Sequence, residues 1–471
     1  MTAQPRTIVI VGAGFSGTAV AINLLRLSRA GNVRIVLVDR SQVARGVAYA
    51  PRDYPYLLNV PAGRMSASSC APSEFLTFAQ RWLPGATADH FLPRELYGRY
   101  LEWTLRSAEL ASAPHARLER VQGRVSRIER AAGSLLSDVH LADGRRFAAD
   151  DVVLALGNPP PARLPGTEAL VGSAQYAENP WNAPPFRAGE TVLVIGTGLT
   201  MADIVIAGAD RSQGDAVVHA ISRHGLVPPE QTAFRHAHTD HDGAALLRAA
   251  ARSTRQLLRA TRELSDEVER RGGDWREAIT HVRSLAPALW QRMPIGERRR
   301  FLRHVRVFWD IHRHRLPDST AATLRQLSRT GKLHVHAGRV VRLALEDYRV
   351  CVTWRARGER KTQSLLVDRV INCTGPDYDP RRSRDPLLCS LLADGTAVAD
   401  PLGIGLRTGP CGALIDARGR AAANLFYIGP MLRADHWEAT AVQELRGHAE
   451  QLAYHLSARE LQATTPALEA S

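Results

Sequence analysis

Two clusters of glycine stand out, each directly after a short apolar run. The first is Gly12-Ala13-Gly14-Phe15-Ser16-Gly17, which follows Ile8-Val9-Ile10-Val11. Gly12 suits a tight turn out of a strand. Gly14 lets the backbone approach a pyrophosphate with no Cβ in the way, and Gly17 lets the next helix lie close to the sheet. Phe15 and Ser16 open that helix, where free N–H groups and a partial positive charge favour phosphate. Asp39, followed by Arg40, stands roughly 20 residues on, where a carboxylate can accept from a ribose hydroxyl. Strand, glycines, helix, strand and acid in register point to a bound dinucleotide.

The second cluster is Gly196-Thr197-Gly198-Leu199-Thr200-Met201, after Val192-Leu193-Val194-Ile195. Met201 replaces the third glycine, with Ala202 beside it. The next apolar run, Val217 to Ile221, ends in Ser222-Arg223-His224 and not in an acid. Arginine there suits a 2′-phosphate, so NADP(H) is expected over NAD(H).

Elements must position these groups. Thr18 to Arg29 reads as a helix and Val33 to Val38 as a strand. Residues 45–66 read as a long loop, and long loops in α/β domains are often functional. Within it, Asn59, Arg64, Met65 and Ser66 are candidates to reach a cofactor ring or phosphate. Pro72 to Leu83 and Pro93 to Glu109 look helical. Val121 to Ile128 and Val139 to Leu141 alternate as strands, with a hairpin signal at Asp143-Gly144. Buried strands are expected at 151–156, 367–373 and 425–428, and a helix over 438–456. A Pro-rich stretch, 159–165, reads as a linker.

A chain of 471 residues exceeds one ordinary domain. No apolar run is long enough to span a membrane, and no leader is expected ahead of the first strand. Five scattered cysteines without CxxC spacing suggest reduced thiols and a cytoplasmic setting. The formal charge of +14 is mostly arginine, much of it between residues 248 and 315, and no nucleic-acid motif accompanies it.

Residues 243–331 change character, with Arg, Ala, Leu and Glu at helical spacing over 244–268 and 275–312. This reads as a helical insertion able to cover a cleft. Arg306, Trp309, His312 and Arg313 form a polar and aromatic cluster suited to substrate. His304, His312 and His314 lack the spacing and third ligand that a metal site needs, so no metal is expected.

Two glycine fingerprints, with strands ending Leu156-Gly157 and Thr374-Gly375, resemble the two-dinucleotide-binding-domain flavoproteins. More narrowly, the chain is similar to a bacterial FAD/NAD(P)-binding family of largely uncharacterised oxidoreductases. The segments that carry this are 12–17, Leu58-Asn59-Val60-Pro61, Gly196-Thr197-Gly198-Leu199-Thr200, Asn372-Cys373-Thr374-Gly375-Pro376 and Trp437-Glu438-Ala439-Thr440-Ala441-Val442. The resemblance implies an α/β protein with two Rossmann-like domains, FAD in the first and NADPH in the second. Its domains would be 1–165 with 376–461 for FAD and 166–375 for NADP, the latter including the insertion, with a flexible tail at 462–471. It also implies cofactor contacts at Gly157, Thr374, Gly375, Gly429 and Trp437. The flavin-containing, Baeyer–Villiger and N-hydroxylating monooxygenases are more distantly similar. The F-x-G-x-x-x-H-x-x-x-W/P signature of the flavin-containing and Baeyer–Villiger monooxygenases is met here by Gly172 and Pro180 but not by Leu170 or Tyr176.

The chemistry expected is hydride transfer from NADPH to FAD, with the protein positioning and tuning the ring. The 438–456 helix would aim its N-terminus at the reduced flavin, with Glu438 and Thr440 in its first turn. Asn59 and Tyr176 complete the catalytic candidates. No cysteine pair suits disulfide reduction. A flavin monooxygenase acting on a small nucleophile such as an amine is the leading expectation. An NADPH-driven reductase of a quinone or other acceptor, and a non-catalytic FAD/NADP sensor, are the alternatives. A small-molecule substrate is expected, acidic if the arginines of 306–315 line its site. A further copy of the chain is compatible with the sequence; nucleic acid and membrane are not expected as partners.

Overall fold

The structure is a computed structural model that describes residues 5–28, 33–41, 44–113, 115–130, 136–232 and 243–464. The chain divides into two units, Met1–Pro159 with Tyr378–Ser471, and Pro160–Asp377.

In the first unit, β1 (Arg6–Val11) leads into α1 (Phe15–Leu27) and β2 (Val33–Asp39). Of the helix expected to Arg29, that last residue lies outside the described ones. α2 (Gly46–Tyr49), α3 (Glu74–Gln80), α4 (Arg94–Ser112) and β3 (Ala116–Gln122) follow. β4 (Val125–Arg130), β5 (Ser137–Leu141) and β6 (Arg146–Ala149) make a separate antiparallel sheet. β7 (Asp151–Leu154) returns to the main sheet. The single strand expected over 121–128 is thus two strands of different sheets. They part at Gly123, whose N–H still donates to Asp39 at 2.8 Å, and where a side chain would strike Leu141.

The second unit begins with β8 (Tyr176–Ala177), β9 (Thr191–Ile195), α5 (Leu199–Arg211) and β10 (Val217–Ser222). The region expected to hold two long helices holds six short ones: α6 (Ala244–Arg252), α7 (Thr254–Arg270), α8 (Trp275–Ser284), α9 (Ala286–Arg292), α10 (Ile295–His304) and α11 (Arg306–Arg313). Ser253 ends the first and caps the second, its hydroxyl accepting from the Gln256 N–H. α12 (Asp318–Arg329) belongs to the core, not the insertion: Ala321 and Leu324 pack with Val192, Ala202 and Val218. β11 (Leu333–Glu346), β12 (Arg349–Ala356), β13 (Gln363–Val367) and β14 (Arg369–Asn372) close the unit. Val367, expected inside the buried strand, ends the β13 hairpin strand. The chain breaks at Asp368, and β14 alone is central. The sheet runs β13-β12-β11-β10-β9-β14-β8, parallel from β11 to β8 and antiparallel in the β11–β13 meander.

The chain then returns to the first unit through α13 (Pro386–Ala393), β15 (Ala413–Ile415), β16 (Ala421–Tyr427) and α14 (Val442–Thr464). Its sheet runs β15-β16-β7-β1-β2-β3, parallel except at β15. Ile8, Ile10, Ile35 and Leu37 face one buried cluster, and Val9, Val11, Val36 and Val38 face another. Both faces are covered, as an apolar parallel sheet requires.

The last helix starts at Val442, not at Glu438. Ala439 packs in the cluster around Val9 and Val38, whereas Leu445, Ala449 and Leu452 pack in the cluster on the other face. The segment between must cross from one side of the sheet to the other, and an unbroken helix cannot. Of the tail expected at 462–471, residues to 464 continue α14; 465–471 lie outside the described residues. No helix among the described residues is long and apolar enough to cross a membrane.

Candidate functional site

Each unit contains a glycine turn built on one plan. Gly12 has φ of +103° and Gly196 has φ of +114°. A Cβ on Gly12 would lie 2.2 Å from the Ala155 carbonyl oxygen, and one on Gly196 would lie 2.3 Å from that of Cys373. Only glycine fits, because the turn leans on the end of the neighbouring strand. Gly14 and Gly198 precede α1 and α5 in extended conformation, and neither helix has a side-chain cap or an acid in its first turn. The leading N–H groups therefore have no side-chain acceptor, which is the condition for holding an anion. A Cβ on Gly198 would project into open space. No atom from elsewhere in the fold lies within 4 Å of that position, which leaves the backbone open to an approaching phosphate.

The two turns differ in what closes them. Asp39 Oδ2 accepts the Ala13 N–H at 2.6 Å, and its Oδ1 accepts the Ser41 N–H and hydroxyl at 2.8 and 2.9 Å. In the second unit the Ser222 and Thr197 hydroxyls meet at 2.8 Å, and Ser222 Oγ accepts the Gly225 N–H at 3.0 Å. Ser222 therefore holds the turn 222–225 in shape. Arg40 and Arg223 are exposed just beyond each closing residue. Thr200 is half-buried on the first turn of α5 beside Leu199.

His224 sits between Arg223 and the insertion. Its ring lies 5.6 Å from that of Phe308 on α11, and its Nδ1 is buried with no partner among the described residues. Burial, then the charges of Arg357 and Arg223, hold its pKa below the usual histidine range. The rest of α11 offers a polar face: Arg306 pairs with Asp310 at 3.9 Å, and His312 Nδ1 meets the Phe308 carbonyl at 2.7 Å with its ring edge-on to Trp275. Trp309 and Arg313 lie on the same helix, so these four substrate candidates share one element.

In the first unit, the 57–71 loop and α14 are brought together. Arg446 donates to the Ser66 carbonyl at 3.0 Å, and Glu450 accepts the Ser69 N–H and hydroxyl, both at 2.8 Å. Asn59 is half-buried and Arg64 exposed, and neither side chain has a partner among the described residues. The Ser66 hydroxyl is buried and donates to the Ala71 carbonyl at 2.6 Å, which holds the loop in shape. Met65 is likewise a core side chain, 2% exposed. Beneath the loop, Phe15, Tyr49, Phe75, Tyr97 and Tyr100 form a continuous aromatic cluster. Sequence spacing gave no sign of it.

Gly157, Thr374 and Gly375 follow β7 and β14 at the same sheet edge as each glycine turn. Gly429 follows β16, where a Cβ would lie 2.8 Å from the Tyr427 hydroxyl. Trp437 is buried with Arg433 stacked 4.4 Å above its ring. Glu438 is buried and Thr440 half-buried in the turn before α14. Tyr176 packs in an apolar cluster with Leu170, Leu193 and Val370, and its hydroxyl is buried. Leu170, the other departure from the monooxygenase signature, lies in the same cluster. The five cysteines are all free thiols, and none is paired.

Residues 9–159 match the family model described as FAD-NAD(P)-binding. No curated protein matches the chain. The L-lysine 6-monooxygenase of Pseudomonas syringae is 16% identical, with a TM-score of 0.65 over 97% of this chain and 99% of that one. The ornithine N-hydroxylase of Kutzneria sp. 744, solved with reduced FAD, NADP+ and L-ornithine, is 17% identical, with a TM-score of 0.63 over 97% and 100%. The ornithine hydroxylase of Pseudomonas aeruginosa is 16% identical, with a TM-score of 0.61 over 97% and 99%. At these identities the likeness is one of fold. It is the two-dinucleotide-domain flavoprotein fold that the glycine fingerprints lead one to expect.

Proposed function

We propose that the chain is an FAD-dependent oxidoreductase that takes hydride from NADPH, and that it is a flavin monooxygenase acting on a small amine or amino acid. One observation carries this reading. Two uncapped helices, each behind a glycine turn, are closed in different ways: by Asp39 in one unit and by Ser222-Arg223 in the other. An acid suits an unmodified ribose, and an arginine suits a 2′-phosphate. The likeness to amine N-hydroxylases over nearly the whole chain supports the choice of substrate class.

FAD would lie on Gly12, Gly14 and the first turn of α1, with Asp39 on the adenosine ribose. NADPH would lie on Gly198, Leu199 and Thr200, with Arg223 on the 2′-phosphate. When bound, the flavin supplies the redox chemistry and the activation of oxygen. The chain binds and orients. Asn59 has an unused amide able both to donate and to accept, and Arg64 has an unpaired cation. Glu438 and Thr440 would add polar contacts from the turn before α14. Arg306 and Arg313 on α11 would meet the carboxylate of an amino-acid substrate. The scattered free cysteines disfavour disulfide reduction.

Mixing the purified yellow protein with NADPH under anaerobic conditions tests the core reading, and the yellow absorbance should be lost. No loss, or a colourless protein that cannot be reconstituted with FAD, overturns it. Oxygen is then admitted with a panel of diamines, ornithine and lysine. A hydroxylated amine by mass spectrometry supports monooxygenation. NADPH oxidation without product, but with quinone reduction, favours the reductase instead.

A further inference from the structure

Arg357 lies far from Arg223 in sequence, and nothing in the residue pattern joins them. The sheet does. Ser222 at the end of β10 is in register with Ala337 on β11, and Gly338 is in register with Ala356 at the end of β12. The Arg357 N–H donates to the Ala337 carbonyl at 2.9 Å. The turn 222–225 is seated on that same alanine: a Cβ on Gly225, whose φ is +62°, would lie 3.0 Å from the Ala337 Cβ. Arg357 and Arg223 thus emerge on either side of Ala337. Both are exposed, and neither side chain has an acceptor among the described residues. His224, next to Arg223, has an unpaired buried Nδ1, and burial, then the charges of Arg357 and Arg223, hold its pKa down.

We propose that Arg357 is a second cation for the 2′-phosphate of NADPH, forming with Arg223 and His224 a three-sided anion site that selects the phosphorylated nucleotide. A phosphomonoester near neutral pH carries up to about two negative charges, more than one arginine neutralises. Two planar guanidinium groups on a pinned turn and a strand end can each offer paired N–H donors. His224 supplies a further N–H, and the phosphate oxygens satisfy it. This inference rests on the NADPH reading.

The test is calorimetric titration of the holoenzyme with adenosine 2′,5′-bisphosphate and with AMP, which need no turnover. The wild type should bind the bisphosphate far more tightly. Arg357→Ala should weaken the bisphosphate roughly tenfold and leave AMP unchanged, Arg223→Ala should do the same or more, and Arg357→Lys should recover part of the loss. Unchanged bisphosphate affinity in Arg357→Ala, or an equal loss for both ligands, overturns the role of Arg357 while selective loss in Arg223→Ala keeps the NADPH reading intact. A wild type that does not distinguish the two ligands overturns both.

Discussion

The two units repeat one module with its charges exchanged. In the first, Asp150 Oδ2 accepts the Thr7 N–H at 2.8 Å; in the second, Asp368 Oδ2 accepts the Thr191 N–H at 2.7 Å. The residue after each aspartate begins the strand that supports the glycine turn. In the first unit it is Asp151, fully buried and held by Arg6 and Arg459. In the second it is Arg369, 4% exposed, held by Glu190 at 2.5 Å and by the Pro184 and Pro185 carbonyls at 2.7 and 3.1 Å. The backbone plan was kept while the anchoring charge reversed. The third position of each fingerprint diverged as well. Gly17 lies so close to Gly12 that a Cβ would sit 1.9 Å from its carbonyl oxygen, whereas α5 carries a buried Met201 there. Helix and turn are pressed together in one module and spaced by a side chain in the other.

The largest effect should come from the anchors. Glu190→Ala strands Arg369 in the interior and should cost the second unit about 3–5 kcal/mol. Asp151→Ala should cost the first unit less, about 1–3 kcal/mol, because Arg6 and Arg459 keep side-chain exposures of 16% and 34% and can hydrate. Denaturant unfolding with a fluorescence probe in each unit measures both; equal losses would erase the distinction. Next come the turns. Gly12→Ala should yield colourless protein. Gly196→Ala should stay yellow but lose NADPH affinity at least about tenfold, on the order of 1.4 kcal/mol. Colour lost in the second variant and kept in the first would reverse the assignment of cofactors to units.

The smallest effect sharpens the comparison through pH. Each unit contains a close histidine pair. His219 Nδ1 lies 3.0 Å from His336 Nε2, with His334 stacked alongside, and the His436 and His448 rings are 4.7 Å apart with Glu444 nearby. Burial, then the neighbouring imidazoles, push both His219 and His448 down to about 4, with Glu444 partly opposing this at His448. The unfolded chain takes up these protons near the usual value of about 6.5. Stability present above that pH is therefore lost as pH falls towards 4. Melting temperature should drop by a few degrees between about pH 7 and 5. His219→Gln should flatten the profile of the second unit, and His448→Gln that of the first. An unchanged slope in either would remove that pair from the account.

Much of this was legible in the chain. Apolar runs, glycine spacing and Asp39 against Arg223 announced both modules, because a buried parallel strand and a phosphate turn impose strict local chemistry. Side-chain commitments were not legible. The residue pattern does not say that the Ser66 hydroxyl bonds within its own loop or that Tyr176 packs in a buried cluster. The start of α14 is not legible either, because periodicity does not say which face of a sheet a residue must reach. The Arg357–Ala337–Arg223 grouping depends on β-sheet register across long separations, which no local pattern encodes.

The helical excursion of the second unit leaves and re-enters through one clasp. Gln231 donates to the Leu316 carbonyl at 2.7 Å, Leu316 donates back to Pro229 at 2.9 Å, and Arg325 holds Glu230 at 2.6 Å. Chain ends fixed this near each other make the stretch between them a detachable cassette, since a short bridge could span the gap without disturbing the strands. Such a joint gives a protein engineer a ready place to graft another bundle.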